Sequence, residues 1–241
     1  MKLTPLLRQL EQKSLYNDLL VNYINGNQSI IKSTVFQGNL YEHAVMRELH
    51  EKLFMGNLSK VGGAHDGGVD ITAKWNLNKI YSTVRKEVDL ATMYPPENIP
   101  KRIKLKSRMI NPIIHKLSRG EDVEFDVLIQ CKAFNKSKVA PKEFRELIGT
   151  YNTLVSPKKR NSSIMIMCSP HLLTPDGLKL INSIDMSLIY LRISQITQTS
   201  DKSFDISHSG KLLNYYENDT INKLFKGCGI QEFLKLSLYN K

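Results

Sequence analysis

The chain has 241 residues, with 34 Lys and Arg against 23 Asp and Glu, a net charge of +11. A hydrophobic share of 41% supports a sizeable core and excludes wholesale disorder, and no apolar run approaches the roughly 20 residues of a membrane-spanning helix. A pI near 9.5 points to polyanions, nucleic acid first and anionic membrane second, with plain solubilising charge as the bland alternative.

Residues 1–32 read as an amphipathic helical extension without a secretory apolar region, which predicts no export. Gly38-Asn39 opens a helix from about Leu40 to Phe54, with Val45, Leu49 and Leu53 as its apolar stripe. Glu42 falls on that stripe, where a carboxylate is costly unless it meets a partner or a metal. The alternative places Glu42 in the first helical turn, where an acid simply suits the helix dipole.

Gly62-Gly63-Ala64-His65-Asp66-Gly67-Gly68 then turns the chain into Val69-Asp70-Ile71. Alternation there sets Asp70 on the face opposite its apolar neighbours. No Gly-Lys-Ser/Thr follows, and the turn leads into a strand rather than a helix, which argues against a P-loop and a dinucleotide fingerprint.

Between Ile80 and Gly120 basic residues dominate and Tyr94-Pro95-Pro96 and Pro100 break the pattern. The stretch reads as an inserted arm (79–120) of short helices around a proline-rich loop. It is either a solvated insertion or a cationic surface that tracks phosphates, with Lys101, Arg102, Lys104, Lys106 and Arg108 as the contacts.

Asp126 to Phe134 is the best strand: Val127, Ile129, Cys131 and Ala133 point one way, Leu128, Gln130, Lys132 and Phe134 the other. Pro141 opens a helix to about Val155, buried through Phe144, Leu147, Ile148, Tyr151 and Val155, with Arg145 and Glu146 beside the stripe. Ser163 to Cys168 and Leu188 to Ile193 are further strands, and Thr174 caps a helix to Ile184. The tail 208–241 reads as an accessory helical segment. Alternating strands and helices predict an α/β layered domain. Cys131, Cys168 and Cys228 are an odd, widely spaced set that suits a reducing compartment and builds no disulfide framework or zinc site.

Glu42, Asp70 and Gln130-Cys131-Lys132 together carry a chemistry. Phosphodiester hydrolysis needs a hard cation, an activated water and charge stabilisation at phosphorus. Mg²⁺ takes oxygen ligands and keeps several waters; Asp70, the amide oxygen of Gln130 and the carbonyl of Cys131 supply such a set. Lys132 shares the Gln130 face, where its ammonium can orient the water or meet phosphate oxygens. Cys131, on the apolar face, is core rather than nucleophile.

At these residues the chain resembles the restriction-endonuclease-like PD-(D/E)XK nucleases, most closely the Mrr-type branch. That branch reads a helix Glu, a glycine-rich turn ending in Asp, Gln-x-Lys, and a later Arg-Glu-Leu; here these are Glu42, 62–70, Gln130-Cys131-Lys132 and Arg145-Glu146-Leu147. His65 is one residue more than the short form of the turn has. The resemblance implies a mixed central sheet flanked by helices over 33–241. It also implies Mg²⁺-dependent cleavage of DNA (Mn²⁺ as a substitute), with Asp70, Gln130 and Lys132 catalytic and Glu42 compensating for the neutral Gln130. His65, Asp66, Arg145 and Glu146 are possible auxiliaries, with a bystander loop histidine and a solvated Arg145–Glu146 pair as the alternatives.

More narrowly, segments 33–49, 62–71, 130–138, 144–151, 166–174 and 209–218 are similar to a fungal mitochondrial family needed for respiratory growth. This implies a mitochondrial location and a role in genome maintenance there. The rival functions are a nuclease-fold nucleic-acid-binding protein without chemistry, motivated by Gln130, and a structural partner in a mitochondrial assembly. RNA competes with DNA as partner, and double-strand cutting would call for a homodimer or repeated encounters. About 60 residues separate Asp70 from Gln130, so both ends of the basic insertion are expected to emerge beside the metal site.

Overall fold

The computed structural model describes residues 15–61, 68–106, 108–133, 137–201 and 203–239. His65, Asp66 and Phe134 lie outside the described residues.

Helix α1 (Leu15–Gly26) buries Tyr16, Leu20 and Ile24 and leads to α2 (Thr34–Leu53). α2 starts well before Leu40, and Gly38 lies inside it. The reason is a cap the sequence analysis passed over: the Ser33 hydroxyl accepts the Phe36 N–H at 3.0 Å. Phe36 and Leu40 then continue the buried stripe. Glu42 is therefore well inside the helix, which removes the first-turn dipole reading. Leu20, Ile24, Phe36, Leu40, Ala44 and Ile196 form one apolar cluster, so α1 is packed onto the domain.

The chain continues through β1 (Gly56–Lys60), β2 (Ile71–Asn76), α3 (Asn78–Glu87), α4 (Leu90–Met93), β3 (Ile103–Leu105), β4 (Arg108–Ile110), α5 (Ile114–Leu117) and β5 (Glu124–Cys131). Then come α6 (Pro141–Leu154), β6 (Ser163–Ser169), α7 (Pro175–Ser183), β7 (Leu188–Ile193), β8 (Leu212–Glu217), α8 (Asp219–Leu224) and α9 (Ile230–Tyr239). Six strands make a mixed sheet in the order β1-β2-β5-β6-β7-β8. β5, β6 and β7 run parallel at its centre, and antiparallel pairs flank them.

A parallel strand covered on both faces must be apolar throughout, and every residue of β6 is buried. On one face Val127, Ile129, Ile164 and Ile166 meet Val45 and Leu49 of α2 and the C-terminal Phe225 and Phe233. On the other, Met165, Met167 and Leu188 meet Phe144, Leu147 and Tyr151 of α6 and Ile181 of α7. Trp75 closes the first core, its indole N–H donating to the Leu53 carbonyl at 2.8 Å. Among the described residues no helix is long and apolar enough to cross a membrane.

Three expectations are corrected. The tail is not wholly helical: β8 pairs with β7 as an edge strand before α8 and α9. The insertion contains the hairpin β3–β4 as well as helices. Its position is also reversed. β2 is antiparallel to β5, with Ile71 opposite Ile129 and Asn76 opposite Glu124. Asp70 precedes β2 and Gln130 lies near the end of β5, whereas the insertion leaves after Asn76 and returns before Glu124. Six residue steps, from Asp70 to Asn76, separate the two, about 20 Å. Both ends of the insertion emerge at the other end of the sheet. Two of its cations are fastened there: Lys106 Nζ donates to the Asn182 carbonyl at 2.7 Å, and Arg108 donates to the Asp185 carbonyl and, at 2.8 Å, to Asn161 Oδ1.

Candidate active site at the carboxyl ends of the parallel strands

Open α/β sheets present ligand sites beyond the carboxyl ends of their strands. There, ladder hydrogen bonds stop and backbone groups take other partners. Asp70 sits at that edge between two strands: its N–H donates to the Ile129 carbonyl at 2.9 Å, and its carbonyl accepts the Val61 N–H at 2.8 Å. Its carboxylate then takes over where the ladder ends, Oδ2 accepting the Cys131 N–H at 2.6 Å. Asp70 is thereby fixed to the segment that carries Gln130 and Lys132.

Gln130 is 5% exposed. Its Oε1 is buried and has no hydrogen-bond partner among the described residues. Leaving such an oxygen unmatched costs about 1–3 kcal/mol. Gly68, at φ +84°, lies against this amide; a Cβ there would stand 3.0 Å from Thr150 Oγ1 and 3.4 Å from Gln130 Nε2. The glycine is needed for its backbone angle and for the room it leaves.

The Lys132 N–H donates to the Cys168 carbonyl at 2.8 Å, and its ammonium meets Glu146 Oε2 at 3.2 Å. Phe144, Leu147 and Tyr151 seat α6 on the sheet and so bring Glu146 to that position. Arg145, next to it, is exposed.

Glu42 also has an ionic partner. Its Oε2 lies 2.7 Å from Lys60 Nζ, and Lys60 also donates to Asn39 Oδ1. His43 packs on Tyr23 with ring centroids 4.8 Å apart. Burial, and then the charge of Lys60, push His43 down to about 4, so it is neutral near pH 7. Burial and then the Glu42 charge raise the Tyr23 phenol. The Cys131 thiol is pushed well up, by burial first, then by Cys168, then by the charges of Asp70 and Glu42. Both carboxylates thus act on one thiol from the same end of the sheet, and that thiol is no nucleophile near neutral pH.

The fold therefore brings Glu42, Asp70, Gln130, Cys131, Lys132 and Glu146 together. It does not bring Lys101, Arg102, Lys104, Lys106 or Arg108 to them. Sequence reasoning missed Lys60, Asn39, His43 and Thr150. The first was hidden because β1 carries a single fully buried side chain, Leu58. Asn39, four residues before His43 and three before Glu42 on one helix, was legible as a neighbour once the helix was started at Ser33.

As a metal site the donor set is all oxygen: the Asp70 carboxylate, the orphaned Gln130 Oε1 and the Cys131 carbonyl. That composition fits Mg²⁺ rather than a softer ion. Among the described residues no group of three His, Cys, Asp or Glu side chains is placed to hold a metal. The neutral Gln130 and a main-chain oxygen would have to complete the set.

The family model described as Required for respiratory growth protein 7 matches residues 33–225. A relative from Zygosaccharomyces rouxii is 48% identical over 227 residues, 93% of this chain and 91% of its own. One from Vanderwaltozyma polyspora is 47% identical over 232 residues, covering 95% and 91%. One from Saccharomyces cerevisiae is 46% identical over 233 residues, covering 95% and 94%. No solved structure matches the chain. All three relatives are named as mitochondrial proteins required for respiratory growth, which assigns this chain to the mitochondrion and to a role in respiratory growth. The chain belongs to the family of Required for respiratory growth protein 7.

Proposed function

We propose that the carboxyl end of the sheet is a metal-dependent phosphodiesterase site acting on DNA, on a restriction-endonuclease-like core of the PD-(D/E)XK, Mrr-type kind. Its service to respiratory growth would then be maintenance of the mitochondrial genome. The observation that carries this reading is the buried Oε1 of Gln130, without a hydrogen-bond partner among the described residues, on the strand segment that Asp70 is bonded to. A buried acceptor without a donor calls for a partner such as a water or an ion, and a hard cation suits an amide oxygen beside a carboxylate.

Asp70, Gln130 and the Cys131 carbonyl would hold Mg²⁺, which when bound supplies Lewis-acid polarisation of phosphate and an acidified water. Lys132 places an ammonium at the same edge, where it exchanges Glu146 for a phosphate oxygen. The Asp70 carboxylate is oriented by the Cys131 N–H and needs no reorganisation to act. Glu42, held by Lys60, adds negative charge near the metal set and a proton acceptor for ordered water. The test is incubation of labelled duplex, nicked, branched and single-stranded DNA with Mg²⁺ or Mn²⁺. Cleavage that Asp70→Ala and Lys132→Ala each abolish supports the reading; absence of cleavage with every substrate and metal overturns it.

A second reading has its own observation. Lys132 and Glu42 are both engaged in internal ion pairs, and among the described residues no group of three His, Cys, Asp or Glu side chains could hold a metal. A nucleic-acid-binding protein that retains the fold without the reaction would look like this. It would bind DNA with steep salt dependence and cleave none.

A further inference from the structure

The amino ends of the parallel strands hold a concavity that the reading above does not use. The insertion folds back over the sheet there, and the Ile113 N–H donates to the Leu224 carbonyl at 3.0 Å. Between the hairpin, α5, the start of β5 and α8 lies a cavity of about 400 Å³. This is within the range of small-molecule sites, roughly 300–1,000 Å³.

Its wall is cationic in an unbalanced way. Lys101, Arg102, Arg108, His115, Lys116 and Arg119 line it, against Asp122 and Glu124. Glu124 is already 3.6 Å from Lys74, and Arg119 is paired with Glu121 at 2.6 Å. Lys101, Arg102 and Lys116 make no ion pair among the described residues. Arg108 is held by a carbonyl and an amide oxygen, so its geometry is set, and it makes no ion pair among the described residues. His115 adds a buried Nε2 without a hydrogen-bond partner among the described residues. Met109, Pro112 and Leu224 add apolar surface to the cavity lining.

Several unpaired cations around one bounded volume favour a compact, multiply charged anion. Apolar surface favours an anion that carries a body. A nucleic-acid strand, by contrast, needs a groove long enough for several successive nucleotides. We propose that this cavity binds a nucleoside diphosphate or triphosphate. The phosphates would lie among Arg102, Arg108 and Lys116, and the nucleoside against Met109, Pro112 and Leu224. The proposal is independent of the phosphodiesterase reading, since the two sites lie at opposite ends of the sheet.

The test is calorimetric titration of the full chain with ADP, ATP, inorganic pyrophosphate and a long oligothymidylate. The wild type is compared with Arg102→Glu/Lys116→Glu and with Lys86→Glu/Lys104→Glu. The second pair makes the same charge change at exposed positions outside the cavity. One ADP should bind per chain, about 100-fold more weakly in the cavity variant, from two charge-assisted contacts at about tenfold each, and nearly unchanged in the control. If the cavity variant unfolds, Lys116→Gln serves instead: Lys116 lines the cavity at an exposed position, and the change removes one charge without reversing it. It should weaken ADP binding while the melting temperature holds. Equal weakening in the cavity and control variants overturns the proposal. So does the absence of saturable ADP and ATP binding, or binding of oligothymidylate alone, which would make the face a nucleic-acid surface. Pyrophosphate binding as tightly as ADP overturns the nucleoside part.

Discussion

The two ends of the central sheet are made by the same strands and treat charge in opposite ways. At the carboxyl end three ionic side chains are held: Glu42 by Lys60, Lys132 by Glu146, and Asp70 by the Cys131 N–H. At the amino end Lys101, Arg102 and Lys116 stand around a cavity with no counter-ion among the described residues. Paired charges have fixed geometry, which a reaction needs because its stabilising groups must already point at the reacting atoms. Unpaired charges raise the local concentration of an anion, which is what capture needs. A basic insertion between two strands carrying site residues suggests one composite site; strand direction shows that there are two regions.

The largest expected effect tests the frame behind the paired end. Arg47 and Glu48 are each 1% exposed and tie α2, which carries Glu42, to the chain before β8. Arg47 donates to the carbonyls of Ile206, Ser209 and Gly210 at 2.9–3.0 Å, and Glu48 Oε2 accepts the Leu212 N–H at 2.8 Å. Glu48→Ala removes the carboxylate that stands 3.3 Å from the buried Arg47 guanidinium and should cost about 3–5 kcal/mol, read by urea denaturation. A cost near zero would mean that α2 is held by its apolar stripe alone.

The next test separates the two ends. Asp70→Ala and Lys132→Ala should each lower metal-dependent cleavage about 10²–10³-fold while leaving ADP titration unchanged. Arg102→Glu/Lys116→Glu should do the converse. If one substitution moved both readouts, the ends would be coupled and the comparison would fail.

What the sequence disclosed follows from burial. β7 is legible to the residue, Leu188–Ile193, and β6 nearly so, because a strand covered on both faces is an unbroken apolar run. The α6 stripe was legible for the same reason, as was the division of β5 into a core face and a site face. β1 and β8 escaped because they are edges. Gly56–Lys60 has one fully buried side chain and Leu212–Glu217 has Leu212 alone, so neither shows alternation. The three-residue strands of the hairpin are too short to carry a period. Asp70, Gln130 and Lys132 were readable as an ordered set. Lys60 was not, since its meeting with Glu42 depends on β1. The misplaced insertion was an error of direction rather than of missing signal: a segment that follows β2 and precedes β5 must leave at the end away from Asp70.

A smaller effect is expected at Glu42. It is an outer residue of the proposed site, and removing such partners typically costs about 10–100-fold in metal affinity or activity. Glu42→Ala should fall in that range with the fold intact, measured as cleavage against Mg²⁺ concentration. Lys60→Met should reproduce part of it by releasing the carboxylate. Full activity in Glu42→Ala would reduce the Glu42–Lys60 pair to an ordinary ionic contact and shrink the site to β5 and Asp70.

The smallest effect is a pH dependence, and it too belongs to the paired end. His43 faces Tyr23 from α1 and Lys60 from β1, beside Glu42 on its own helix. Burial and the Lys60 charge hold it near 4, below the ordinary value of about 6.5. The unfolded chain therefore binds the His43 proton more readily than the folded one. Stability from this residue is complete above about pH 6.5 and is lost as pH falls from there toward 4. Glu51 works in the opposite sense, since burial raises its carboxyl, so absolute melting temperatures mix the two. The difference between wild type and His43→Gln isolates the histidine. The wild type should lose more melting temperature than the variant between pH 7 and pH 5, and the gap should narrow in Lys60→Met, where the second cause is gone. An equal loss in wild type and His43→Gln would show that His43 is solvated in the folded protein and that the contact with Lys60 carries no weight.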